Sequence, residues 1–232
     1  MATPNDVIDL VDSRTRELLV ALDGLDDADM RAPSLLPGWT RGHVVTHLAR
    51  NADALVRLLT WARTGEEQAM YASPEQRAAD IEDGAGRSAD ALLDDLTEAS
   101  VRWIVTARGL PEEAWAATVT ARAGRKVVGS WLPMMRATEV ILHHYDLDLC
   151  YTPDRWPPGW VSLAMHDAAR DLSERAGEPL ALRAVDSGLG VGDGGGRTVS
   201  GTQADLLAWV TRGLVGPSLS TTGTLPELAA WR

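Results

Sequence analysis

A single cysteine, Cys150, occurs in the 232 residues. No disulfide can form within the chain, and a cytoplasmic setting is the expectation. A lone thiol closing an apolar run reads as packing before it reads as a nucleophile. Positive charge is also scarce: 22 lysines and arginines face 33 aspartates and glutamates, for a formal net charge of -11. That balance argues against the basic stripe of a nucleic-acid binder and against docking on anionic lipid. It leaves a locally positive small-molecule site open. No run approaches the ~20 apolar residues of a membrane-spanning helix. The acidic start MATPNDVIDLVDSRT lacks the basic and apolar regions of a secretory signal. Phenylalanine is absent while tryptophan occurs nine times, a balance that coding bias explains as well as function.

Hydrophobic residues make up 45% and charged residues 24%, the composition of a chain that packs a core. The length allows one large domain or two small ones. The first three-fifths reads as helices. Val7, Leu10, Val11, Leu18 and Leu19 recur at three- and four-residue spacing, which predicts a helix over 5–22 with Asn5 as N-cap. SLLPGW is a turn. A long helix follows from Thr40, its N-cap, to Thr64, with Gly65 just past the end. Its buried stripe is Val44, Leu48, Ala52, Leu55, Leu59 and Ala62. A connection over 66–87 holds a short helix near 75–82. A further helix spans 88–108 with Leu92, Leu93, Leu96 and Ile104 inward, and 115–129 is a small hairpin or an irregular loop. Pro133 opens a helix to about Leu149.

YTPDRWPPGW is the expected domain boundary, between units 1–152 and 159–232. The tail reads as α+β: a helix over 160–176, short strands over 179–200 around a glycine-rich turn, and a helix over 202–213 burying Leu206, Leu207 and Val210. VGDGGGR is not a phosphate loop, because the Lys-Ser/Thr ending and the helix start are missing.

The chemistry-bearing residues are histidines. GHVVTHLARNAD sets His43 and His47 four apart, and EVILHHYDLD sets Glu139 four before His143, so each pair shares a helix face. Glu139 adjoins the apolar run Val140-Ile141-Leu142, where a carboxylate is costly unless a cation compensates it. Asp146 lies on the same face. On a helical wheel His47 falls beside Val44, Leu55 and Leu58, while His43 turns toward the polar side, so His47 is the better ligand candidate. His47, Glu139 and His143 then make a three-ligand site with positions left open, as in catalytic zinc centres, and the set also suits non-haem iron. The competing reading is of core or surface histidines with ordinary hydrogen bonds.

Two segments carry a resemblance. SLLPGWTRGHVVTHLARNADALVRLLTWARTGEEQAMYASPEQR resembles the opening of mycothiol-dependent maleylpyruvate isomerases, and WLPMMRATEVILHHYDLDL resembles their later metal motif. The likeness extends to the final STTGTLPELAAW. It implies a mainly α protein: an N-terminal DinB-like metal-binding four-helix bundle followed by a small α+β domain. It implies a divalent metal, expected to be zinc, held by His47, Glu139 and His143, with mycothiol as thiol cofactor. It gives a catalytic role to Arg77, which read alone is a solvated charge. A second family arginine falls on Gly213 in an ungapped match, so Arg212 takes that cofactor-binding place only with a one-residue shift.

The implied reaction converts maleylpyruvate to fumarylpyruvate. A thiolate adds to the double-bond carbon conjugated with the carbonyl, which takes up the electron pair. The bond, now single, rotates, and expulsion of the thiolate restores it in the trans form. The metal makes the thiol available as thiolate. Arg77 would clamp a substrate carboxylate, and Arg212 the second carboxylate or the cofactor. Small molecules are the expected partners, in a monomer or small homo-oligomer. Three other readings compete: a mycothiol S-transferase acting on another electrophile, a non-enzymatic metal-binding regulator, and a metal-dependent hydrolase using water in place of the thiol.

Overall fold

A computed structural model of the chain describes residues 3–192 and 194–231. They form two compact units, Met1–Cys150 and Tyr151–Arg232. The first is a helical bundle and the second is α+β, so the fold class read from the sequence holds.

In the first unit, α1 spans Pro4–Leu22. Its N-cap is Thr3 and not Asn5, because Thr3 and Asp6 form a reciprocal capping box and Pro4 is suited to the first turn. A short helix unforeseen in the sequence, α2 (Asp27–Arg31), is capped the same way by Asp26 and Asp29. The long helix α3 runs from Arg41 to Thr64, with Thr40 as N-cap and Gly65 left-handed at its end. It is the central element: Val44, Leu48, Ala52, Leu55, Leu58 and Leu59 have no exposed surface.

Helix α4 (Pro74–Ala85) is longer than the periodicity suggests. It lies so close to α3 that a Cβ at Gly42 would strike the Ala85 carbonyl, and one at Gly84 would strike the Thr46 side chain. Helix α5 (Ala89–Arg108) buries Leu92, Leu96, Ala99 and Trp103. Leu93 and Ile104, expected inward, are only half-buried, because Trp103 fills that face. Strands β1 (Thr118–Thr120) and β2 (Lys126–Val128) form the small antiparallel hairpin.

Helix α6 runs from Leu132 to Asp146 and stops short of Leu149, since Asp148 and Cys150 have positive φ (57° and 59°). Arg41, the first residue of α3, ties its end down: Nε donates to the Leu147 carbonyl at 2.8 Å and Nη2 to that of Asp148 at 3.2 Å. The helix carrying one half of the candidate site is thus anchored to the start of the helix carrying the other.

In the second unit, the expected single helix over 160–176 is two, α7 (Pro158–Ala168) and α8 (Leu172–Ala176), separated by a turn at 169–171. Strand β3 (Leu180–Ala184) is central, antiparallel to β4 (Gly190–Gly192) and parallel to β5 (Arg197–Gly201). Helix α9 (Gln203–Arg212) buries Leu206, Leu207 and Val210 and ends at left-handed Gly213. Among the described residues, no helix is long and apolar enough to cross a membrane.

Candidate metal centre

Helix α6 places polar side chains at Arg136, Glu139, His143 and Asp146, a spacing of three, four and three. That keeps them on one stripe of a helix whose other faces carry Leu132, Ala137, Val140 and Ile141, all fully buried. Helix α3 answers with His47 and Asn51, four apart and both buried.

The ligand atoms of His47, Glu139 and His143 all lie within 4.8 Å of one another. One carboxylate oxygen serves both rings: Glu139 Oε2 is 3.0 Å from His47 Nε2 and 3.3 Å from His143 Nε2. Two nitrogen or oxygen donors on a tetrahedral zinc at ~2.0–2.2 Å stand roughly 3.3 Å apart. The spacing and the donor types therefore fit a divalent cation. The imidazoles meet edge to face, with ring centroids 4.7 Å apart.

His143 Nδ1 lies 2.8 Å from Asp146 Oδ2, and Asp146 is fully buried. The carboxylate accepts a hydrogen bond from Nδ1–H and so orients Nε2 toward the site, the partnership usual for metal-ligating histidines. Arg77, from the first turns of α4, comes within 3.1 Å of His47 Nδ1 through Nη2. A guanidinium can only donate. So Nδ1 accepts, and the Nε2 proton is shared with Glu139.

The electrostatics follow the packing. Burial pushes the His47 imidazole down to about 4, against the pull of Glu139. Burial alone would raise Glu139, but hydrogen bonds from His143 and His47 carry it well below the usual carboxylate range. Burial alone would lower His143, yet its hydrogen bonds to Asp146 and Glu139 raise it above 6.5.

His43 does not join the cluster. Its Nδ1 accepts from the Thr40 backbone at 3.1 Å as part of the α3 cap, and its Nε2 pairs with Glu82 at 3.2 Å. Arg212 lies in the second unit, at the last position of α9, where Nη1 donates to the Thr211 carbonyl.

Four neighbours were not foreseen from the sequence. Trp39 walls the site, its ring 5.6 Å from that of His47. Tyr71 packs under Arg77, whose guanidinium carbon sits 5.6 Å from the ring centroid. Its hydroxyl interacts with Arg77 and Asn51, and burial, then Glu139, raises its pKa. Arg136 is 1% exposed on α6. Its place three residues before Glu139 was a usable signal, as was Asn51 four after His47; Tyr71 and Trp39 lie outside the helices and had none.

The family profile described as "Mycothiol maleylpyruvate isomerase N-terminal domain" matches residues 11–148. A crystal structure of the mycothiol-dependent maleylpyruvate isomerase shares 31% identity, covers 100% of both chains and superposes with a TM-score of 0.90. A histidine-to-alanine variant of that enzyme gives the same values. YfiT from Bacillus subtilis, described as a probable metal-dependent hydrolase with an unusual four-helix bundle topology, is 19% identical. It covers 63% of this chain and 85% of its own, with a TM-score of 0.52, a likeness of fold alone. No curated protein matches.

Proposed function

The chain belongs to the mycothiol maleylpyruvate isomerase family of enzymes, and from that premise we propose that it is a mycothiol-dependent cis–trans isomerase converting maleylpyruvate to fumarylpyruvate at a divalent metal centre. The observation that carries the reading is the convergence of His47, Glu139 and His143, with Arg77 alongside.

His47, Glu139 and His143 would hold the cation, which we take to be zinc. When bound, it lowers the pKa of a thiol that meets it and supplies thiolate near neutral pH. The chain's own residues do the rest. Glu139 stays ionised and brings negative charge to balance the cation. Asp146 fixes the His143 tautomer. Arg77 offers a planar fork of donors at the site's edge, suited to a carboxylate of the substrate. Arg212 enters this reading by resemblance only, as an anion contact for the thiol or the acid. Cys150 has no part, because the nucleophilic sulfur belongs to the cosubstrate.

Replacing His47 by Ala should remove the metal from the purified protein, read by elemental analysis, and abolish maleylpyruvate turnover with it. Full turnover by that variant would defeat the proposal. Thiol dependence separates the alternatives. A hydrolase needs no thiol. An S-transferase consumes mycothiol in an adduct, whereas an isomerase returns it and yields the trans acid.

A further inference from the structure

Arg136 is a buried cation that the proposed reaction does not use. It is 1% exposed, and among the described residues it forms no ion pair with a carboxylate. Its Nη1 donates to the Leu48 carbonyl at 2.8 Å and to Asn51 Oδ1 at 3.0 Å, and its Nη2 to Ser100 Oγ at 3.4 Å. Its Nε has no hydrogen-bond partner among the described residues. Burial lowers its pKa to about 10, and it stays charged at neutral pH. A charge kept this way in a helical core is costly, and a well-packed apolar residue of similar volume is often no less stable. Holding the bundle together therefore does not account for it.

Its contacts do. Leu48 follows His47 directly and Asn51 lies one turn further on, so the fork of Arg136 grips α3 beside one ligand. Arg136 itself sits one turn before Glu139 and two before His143. One side chain thus ties together the two helices that supply the ligands. Accepting through Oδ1 leaves the Asn51 amide nitrogen to donate, and Tyr71 is its other partner. Tyr71 in turn packs against Arg77, which reaches His47. The chain of contacts thus runs from Arg136 through Asn51, Tyr71 and Arg77 back to His47.

We infer that Arg136 is the positioning residue of the metal centre: through Leu48 and Asn51 it sets the register of α3 against α6 that brings His47 to Glu139 and His143, and it sets Tyr71 under Arg77. The inference rests on the metal-centre reading above. A merely structural arginine would influence fold stability and leave metal affinity alone; a positioning arginine does the reverse.

The test titrates zinc into the wild-type full chain and into Arg136→Met, Arg136→Lys and Asn51→Ala, against a chromophoric chelator, with melting followed by circular dichroism. Zinc affinity of Arg136→Met is expected to fall tenfold to a hundredfold, the usual loss when a ligand's support is removed, with a melting temperature at or above wild type. Arg136→Lys keeps the charge without the fork and should recover part of that loss. Asn51→Ala cuts a single contact of the fork, should fold, and should lose about tenfold. Wild-type zinc affinity in a folded Arg136→Met overturns the inference. If Arg136→Met does not fold, Asn51→Ala decides, and wild-type affinity there overturns it. Failure of the wild type itself to take up zinc would be seen before any substitution, and would sink the metal-centre reading together with this one.

Discussion

His47 and His143 differ in the company their second ring nitrogens keep, and that difference sets how protons compete with a metal. His47 Nδ1 faces a guanidinium and the ring is buried, so it resists protonation down to about 4. His143 Nδ1 faces the Asp146 carboxylate, and its pKa is raised above 6.5. A ligand must give up its proton to bind. As pH falls, the group with the higher pKa takes its proton first, so His143 sets the upper edge of metal loss. Zinc affinity should begin to weaken above pH 6.5, the ordinary histidine value, and fall steadily through the acid range. Asp146→Asn removes the charge that raises His143 and should shift that edge to lower pH. The same change loosens the ring's orientation and should cost roughly tenfold or more in affinity at neutral pH. Chelator competition across a pH series reads both. An unmoved edge in Asp146→Asn would show that Asp146 does not govern His143. At the mouth of the site, Arg77→Lys keeps charge but loses the fork, and kcat/KM for maleylpyruvate should fall roughly tenfold with zinc content unchanged. His47, Glu139 and His143 were legible because a carboxylate and two imidazoles stood on apolar helix faces, where solubility does not explain them. Tyr71 was not, since a residue in a connection carries no period.

At the scale of elements, the site is built by how closely α3 meets its neighbours. The α3 boundaries were plain in the sequence because Thr40 and Gly65 are local signals acting through backbone geometry. What the sequence did not disclose is the approach of α4. That packing is long-range, and the glycines that permit it look like helix breakers when read alone. Gly42 faces the Ala85 backbone carbonyl, which cannot swing aside as a side chain does. Gly42→Ala should therefore push α4 away and destabilise the bundle by about 1–3 kcal/mol, measured by chemical denaturation. Because Arg77 rides on α4, the same variant should raise KM for the acid more than it lowers zinc content. Equal losses in both would place the disturbance in α3 itself. The ends of α6 and of the helix expected over 160–176 were misjudged for a related reason. Left-handed Asp148 and Cys150, and the turn at 169–171, answer to tertiary packing, which hydropathy does not encode.

For the whole molecule, the division of labour between units is the question. All three candidate ligands, and Arg77, Arg136, Asn51, Tyr71 and Asp146 around them, belong to the unit Met1–Cys150. Arg212 belongs to Tyr151–Arg232. The net charge of -11 is silent on any local site, since a single guanidinium beside a half-buried carboxylate is invisible in a sum over the chain. A domain with its own core carries what its own residues build. Residues 1–150 expressed alone should therefore fold as a helical bundle and bind zinc with the affinity of the full chain. Arg212→Ala in the full chain should likewise leave zinc affinity unchanged and raise KM for the thiol or the acid. Circular dichroism and chelator competition measure the first, and steady-state kinetics with each substrate varied in turn measure the second. A truncated chain that stays helical yet loses zinc would mean that support for the ligands comes from outside the bundle. The register imposed by Arg136 would then be insufficient by itself.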